Sequence, residues 1–71
     1  MDFSKILNKM LERQNKMIED ALNHFQVNIE DIPDRCEMKN FGGGHQEVHI
    51  DGKLALSFKI ERLTWHFSKH Y

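Results

Sequence analysis

The spacing of hydrophobic residues along the chain changes near Phe25. Before that point apolar side chains recur every three or four positions, which places them on one stripe of a helix. After Cys36 they recur at every second position, as at Val48 and Ile50, which places them on one face of a strand. The chain is therefore predicted to be α+β, with one long N-terminal helix packed on an antiparallel sheet of three or four strands.

Residues 1–25 are predicted to form the helix, because the segment contains neither glycine nor proline and is rich in helix formers. Its apolar stripe is wider than the two-position seam of a simple coiled coil. Because a small sheet cannot cover a stripe of this width, we expect a homodimer with the helix or an edge of the sheet at the interface. The stripe consists of Phe3, Ile6, Leu7, Met10, Leu11, Met17, Ile18, Ala21, Leu22 and Phe25.

Residues 26–35 are predicted to form an acidic connector, in which three carboxylates accompany one basic residue, Arg35. Pro33 has a fixed φ and no backbone donor, so we expect no helix in this connector. The residues from Val27 to Ile29 are expected to be extended and to pack back on the core.

Residues 36–71 are predicted to form the sheet, with a glycine triplet at 42–44 after its first strand. The dipeptide Asp51-Gly52 between two alternating runs indicates a hairpin whose two-residue turn has positive φ at both positions. With a simple turn of this kind, the apolar residues of the two strands would point to opposite faces of the sheet. We therefore expect a bulge that places Ile50 opposite Leu54.

Two structures fit the last segment, residues 61–71. Leu63, Trp65 and Phe67 alternate along a strand, whereas the spacing of Ile60, Leu63, Thr64 and Phe67 also fits a short C-terminal helix. Aromatic and β-branched residues prefer strands, so a last strand after a tight turn at Glu61-Arg62 is the favoured interpretation.

Size and charge limit the possible classes of protein. The 71 residues are predicted to form a single domain, 1–71, whose stability is marginal without a disulfide, a metal or a partner. The net charge of −1 lacks the concentrated basic charge of a dedicated nucleic-acid binder. A lone Cys36 and the lack of a signal sequence or a long apolar run predict a cytoplasmic protein that does not enter membranes.

The candidate catalytic and metal-binding residues form no specific pattern. His45, Glu47 and His49 share one strand face, but the two histidines are about 13 Å apart along a strand, too far for one ion. Nothing in the sequence orders Cys36 and a histidine base as a nucleophilic pair. The glycine triplet precedes a strand instead of the helix that a phosphate-binding loop requires. We predict no catalytic residue, no metal site and no cofactor.

The leading hypothesis is a small, non-enzymatic interaction protein that binds and blocks a larger host protein. Methionine adapts to partner surfaces, and tryptophan and arginine are enriched at binding hot spots. In size and composition the chain resembles the accessory and inhibitor proteins that phages and mobile elements encode. The predicted partner-binding residues are Met10, Met17, Lys59, Arg62, Trp65 and Tyr71.

Two other functions remain open. A nucleic-acid-binding or transcription-regulatory module would stack bases on the sheet face near Lys59, Arg62 and Trp65. It is not favoured, because Trp65 and Phe67 are needed to fill the core. A small metal-binding or thiol enzyme is the third hypothesis. No motif names the partner.

Overall fold

A computed structural model describes residues 3–62 and 64–71, without the side chains of Phe3, Ile6 and Leu7 at the start of the predicted stripe. One long helix packs on a four-stranded antiparallel sheet, which confirms the α+β prediction. The strands follow one another as a meander, β1-β2-β3-β4. The elements are α1 Phe3–His24, α2 Ile32–Arg35, β1 Cys36–Gly42, β2 His45–Ile50, β3 Lys53–Glu61 and β4 Thr64–Lys69.

Helix α1 ends at His24 in a turn that satisfies its last carbonyl groups. Gln26 adopts a left-handed φ of 54°, and the amide of Val27 donates to the carbonyl of Leu22 at 2.8 Å. This is the Schellman arrangement of a helix end. It turns the chain back toward the sheet and buries Val27, as expected. Ile29 instead begins a 3-10 turn and is 84% exposed, so the prediction of an extended, packed segment was wrong there.

The connector contains a short helix, α2, which was not expected. Pro33 lies in its first turn. The first turn of a helix needs no intrahelical amide donor, and the fixed φ of proline suits a helix start. The prediction that Pro33 excludes a helix was therefore wrong, because it ignored where in the helix the proline would lie.

The turn between β2 and β3 has the predicted two-residue geometry. Asp51 and Gly52 have φ values of 53° and 79°, which matches the right-handed twist of the flanking strands. Ile50 consequently pairs with Lys53. The expectation that Ile50 lies opposite Leu54 was wrong, because the bulge does not lie at the turn.

The bulge lies at Ala55. Val48 pairs with Leu56 and His49 with Leu54, so Ala55 is an extra residue without a partner in β2. The bulge brings Val48 and Leu56 together on the helix-facing side of the sheet. It also places Leu54 beside His49 on the opposite, open face. Leu54 therefore does not share a face with Leu56, although their spacing of two residues would place them on the same side of a regular strand.

The last strand is confirmed. Thr64–Lys69 pairs with β3 along its whole length, and Glu61 lies opposite Thr64. Arg62 follows Glu61 with a left-handed φ of 51°. The turn between β3 and β4 therefore begins at Arg62, one residue later than expected. Leu63, which belonged to the predicted alternation, lies outside the described residues.

The hydrophobic core lies between the C-terminal half of α1 and the central strands β2 and β3. Its largest fully buried side chains are Phe58, Ile50 and Leu56. Among the described residues of α1, Met17 is the first to pack against this core, whereas Leu11 is 42% exposed. The core residues are Ala21, Val27, Val48, Ile50, Ala55, Leu56 and Phe58.

One guanidinium group joins three elements at the end of α1. Arg35 Nε and Nη2 donate to the two carboxylate oxygens of Asp51 at 2.9 and 2.7 Å. Nη1 and Nη2 also donate to the carbonyls of Gln26 and Phe25, both at 3.1 Å. The end of α1, the helix α2 and the β2–β3 turn are thus fastened together. We call this arrangement the Arg35 clamp.

Replacing Arg35 with lysine is expected to lower the melting temperature, because one ammonium group cannot reproduce the planar fork that serves a carboxylate and two carbonyls. Arg35→Ala should lower it further, since Asp51 then loses its counter-ion. Thermal melts followed by circular dichroism measure both effects. Arg62→Lys, in the β3–β4 turn, is the matched control and should melt like the wild type. Equal melting temperatures for Arg35→Lys and the wild type would contradict the clamp.

Asp51→Asn isolates the charge of the clamp, because Asn-Gly favours the same two-residue turn. The hydrogen bond from Arg35 holds the pKa of Asp51 below its usual range. A carboxyl with a lowered pKa stabilises the fold fully above its unfolded pKa of about 3.9, and this contribution disappears as the pH falls through its folded pKa. The wild type should therefore lose thermal stability more steeply than Asp51→Asn between about pH 5 and pH 2. If the melting temperatures of the wild type and of Asp51→Asn fell equally steeply with pH, this contribution would be ruled out.

Candidate functional site

The helix α1 and the edge strand β4 enclose an open groove with a volume of about 390 Å³. On the helix side, the lining residues lie along one flank of α1, since Lys9 and Arg13 are four positions apart. On the sheet side, Trp65 and Phe67 alternate along β4 and point to the same face. We call this the α1–β4 groove. Its lining residues are Lys9, Met10, Arg13, Thr64, Trp65 and Phe67.

The floor of the groove is aromatic. The rings of Trp65 and Phe67 are stacked with their centroids 5.9 Å apart. Phe67 also contacts the buried ring of Phe58 edge to face at 5.5 Å, which fixes the floor to the core. The guanidinium carbon of Arg13 lies 4.9 Å from the centre of the Phe67 ring, a cation–π contact. The ring therefore positions the Arg13 charge at the mouth of the groove.

The charge of the groove is positive. Lys9 and Arg13 line it, and none of the lining residues that the structure describes is acidic. A ligand that carries carboxylates together with an apolar side chain is therefore complementary to the groove.

The groove contains two of the predicted partner-binding residues, Met10 and Trp65. Met17 lies farther along α1 and packs against the core. Tyr71 lies at the other end of the helix, with its ring 4.4 Å from His24 and under Lys69 Nζ at 4.6 Å. The structure thus places Met17 and Tyr71 apart from the groove.

Lys59 and Arg62 also lie outside the groove. Lys59 pairs with His66, whereas the neighbouring residue of β4, Trp65, pairs with Ile60. Successive residues of a strand point to opposite faces, so Lys59 and Trp65 are on opposite sides of the sheet. Lys59 and Trp65, which the nucleic-acid hypothesis combined on one face, are therefore separated.

Sequence reasoning missed Lys9, Arg13 and Phe67 as site residues. No role was predicted for the two cations, and Phe67 was predicted to fill the core. A signal was present, because Lys9 and Arg13 flank Met10 at the border of the apolar stripe. A basic pair at that border indicates a surface where apolar and charged groups meet.

The open face of the sheet carries a second polar cluster on β2. His49 Nε2 lies 2.9 Å from Glu47 Oε1, and His45 Nε2 lies 3.4 Å from Glu47 Oε2. The hydrogen bond to His49 lowers the pKa of Glu47 from its ordinary value. Both imidazole rings therefore contact the same carboxylate. The two rings lie closer to each other than the spacing of residues 45 and 49 along a strand suggested. Within the described part of the chain, no group of three or more His, Cys, Asp or Glu residues is placed to hold a metal ion.

Cys36 and His49 line a separate cleft of about 300 Å³ beside the Arg35 clamp. Burial raises the pKa of the Cys36 thiol, although Arg35 opposes this effect. The neutral thiol is therefore favoured, whereas a nucleophile requires the thiolate. Cys36 packs against the core, whereas His49 lies on the open face of the sheet and bonds to Glu47.

Comparison with known proteins found no matching family model, no matching curated protein and no matching solved structure. Among the helices of the described residues, none is long and apolar enough to span a bilayer. An assignment of function must therefore start from the geometry of the α1–β4 groove.

Replacing Arg13 with methionine is expected to lower the free energy of unfolding by about 0.5–1 kcal/mol, the size of an exposed cation–π contact. Methionine keeps an unbranched, flexible stem, so the lost energy reports the charge over the ring. Urea denaturation measures the change. In a Phe67→Leu background, Arg13→Met should have no further effect. If Arg13→Met lowered the free energy of unfolding as much in the Phe67→Leu background as in the wild type, Arg13 would act through another contact.

Proposed function

We propose that this chain is a small, non-enzymatic protein that binds a larger protein through the α1–β4 groove. The observation that supports this proposal is the meeting of a basic rim, Lys9 and Arg13, with an aromatic floor, Trp65 and Phe67. Arginine and tryptophan recur at the centres of protein interfaces, because they combine a large contact area with hydrogen bonding. Met10 adds a flexible apolar side chain that adapts to a partner.

The proposed ligand is a segment of the partner with carboxylates and one large apolar side chain. The carboxylates would meet Lys9 and Arg13, and the apolar side chain would lie on Trp65. Such a protein needs no chemistry of its own, since occupying a surface of the partner is enough to block it. The blocking role, the cytoplasmic location and the phage-like origin are parts of this hypothesis.

A nucleic acid is the second candidate ligand, because cations beside aromatic rings also stack unpaired bases. The cation–π pair of Arg13 and Phe67 and the stacked ring of Trp65 favour it. The position of Lys59 on the opposite face counts against it. The protein ligand is preferred, because the chain as a whole carries a net charge of −1.

Three baits test the proposal: the wild type, the double variant Lys9→Glu with Arg13→Glu, and Lys59→Glu as a charge-matched control on the opposite face. Each is used on the same lysate of the cells that express the chain, and retained proteins are identified by mass spectrometry. We expect a protein that the wild type and Lys59→Glu retain and the double variant loses. With purified components, binding should change the fluorescence of Trp65, the single tryptophan, and be at least about tenfold weaker for the double variant.

Retained proteins that do not differ between the double variant and the wild type would contradict the role of the groove. The same variants are titrated with single- and double-stranded oligonucleotides at about 50 and 200 mM salt. Salt-sensitive binding that the double variant loses would assign the groove to nucleic acid instead of protein. Circular dichroism of each variant verifies that the fold is retained.

A further inference from the structure

The strand β1 lies at the end of the sheet opposite to the α1–β4 groove. An edge strand presents backbone donors and acceptors that can pair with a further strand. The amide of Asp51 donates to the carbonyl of Arg35 at 2.8 Å. This bond shows which residues of β1 form hydrogen-bonded pairs with β2 and which do not. Since antiparallel pairs alternate, Glu37 and Lys39 direct their backbone groups to β2, and Met38 directs its own groups to the free edge.

On the helix-facing side, the centre of this edge carries an apolar side chain, that of Met38. Met38 is 57% exposed, although it pairs with the buried Val48. It borders a hollow of about 160 Å³ between α1 and β1, with Ile18 and Leu22 on the helix side. Leu11, farther along α1, is 42% exposed. An apolar side chain that arrives beside Met38 would fill this hollow.

The charges on the other side of β1 are arranged for self-pairing. Glu37 and Lys39 flank Met38 and point to the open face, on which their partners His49 and Glu47 also lie. If two copies of β1 pair antiparallel about a two-fold axis at Met38, Glu37 faces Lys39 of the partner subunit, and Lys39 faces Glu37 of the partner subunit. Opposite charges across strands stabilise such a pair.

The neighbouring registers lack this complementarity. Sliding one copy by two residues in either direction keeps the backbone groups in phase. One direction places Glu37 opposite Glu37 of the partner subunit, and the other places Lys39 opposite Lys39 of the partner subunit. Like charges directly opposite each other are destabilising. The charge pattern therefore selects the register with Met38 at the centre.

We propose that a second copy of this chain pairs with β1 in that register, which extends the two sheets into one of eight strands. The two Met38 side chains then meet on the helix-facing side, next to the hollow of each copy. This interface is isologous, with the same strand used by both subunits. It leaves the two α1–β4 grooves free at the outer ends of the sheet, so it does not depend on the proposed function.

Charge reversal tests the register. Glu37→Lys gives a strand with two lysines, and Lys39→Glu gives one with two glutamates. Each single variant should form its homodimer with a dissociation constant at least about tenfold higher than the wild type. Mixing the two variants should restore a dimer, because every facing pair is then opposite in charge. The double variant Glu37→Lys with Lys39→Glu should restore it within one chain.

Sedimentation equilibrium at micromolar concentration measures the mass, and circular dichroism verifies the fold of each variant. Lys59→Glu, on β3, is the matched control and should dimerise like the wild type. A wild-type mass equal to one chain would overturn the proposal. A dimer whose affinity the single variants leave unchanged would overturn it as well. So would a mixture of the single variants, or the double variant, that fails to recover the dimer.

Discussion

Four hydrogen bonds from the guanidinium of Arg35 join the end of α1 to the turn between β2 and β3. The carbonyls of Phe25 and Gln26 carry the partial negative charge of a helix C-terminus, which a cation stabilises. Asp51 supplies the opposite charge from the sheet. Each hairpin sets its own register through its turn, whereas the orientation of the helix has to be set by contacts between elements. The Arg35 clamp provides such contacts where the end of α1, α2 and the β2–β3 turn meet.

The core explains why the orientation of α1 needs this support. A domain of this length can bury few large side chains, and here the largest ones that are fully buried are Phe58, Ile50 and Leu56. Among the described residues, α1 contributes to this core from Met17 onward. The preceding turns of the helix extend along the sheet beside β4, and this is how Met10 comes to face Trp65 across the groove.

The two ends of the sheet differ in chemistry. At β4, Arg13 of α1 stands over the ring of Phe67 and Lys9 lines the same groove, which suits an acidic and apolar segment of another protein. At β1, an exposed methionine lies between a glutamate and a lysine, which suits a copy of the same strand. The residues responsible are Arg13 and Phe67 at one end, and Glu37, Met38 and Lys39 at the other. Because β1 and β4 are the two ends of the meander, the two proposed association surfaces lie at opposite ends of the sheet.

Local patterns determined the long helix α1 and the strands of this protein. The hydrophobic period placed the helix and the strands, Asp51-Gly52 determined its turn, and the aromatic alternation at Trp65 and Phe67 determined the last strand. Each of these signals acts within a few residues, so the sequence alone is enough to read them. Proline was misread at Pro33, because its effect depends on its position within a turn.

Tertiary structure decided the rest. A bulge was needed to bring the apolar residues of β2 and β3 to the same face of the sheet. Its position at Ala55 depends on how Val48 and Leu56 pack beneath α1. The Arg35 clamp and the α1–β4 groove join residues that are distant along the chain. Lys9 and Trp65 meet only because the meander carries β4 back beside the helix, a path that no local propensity encodes.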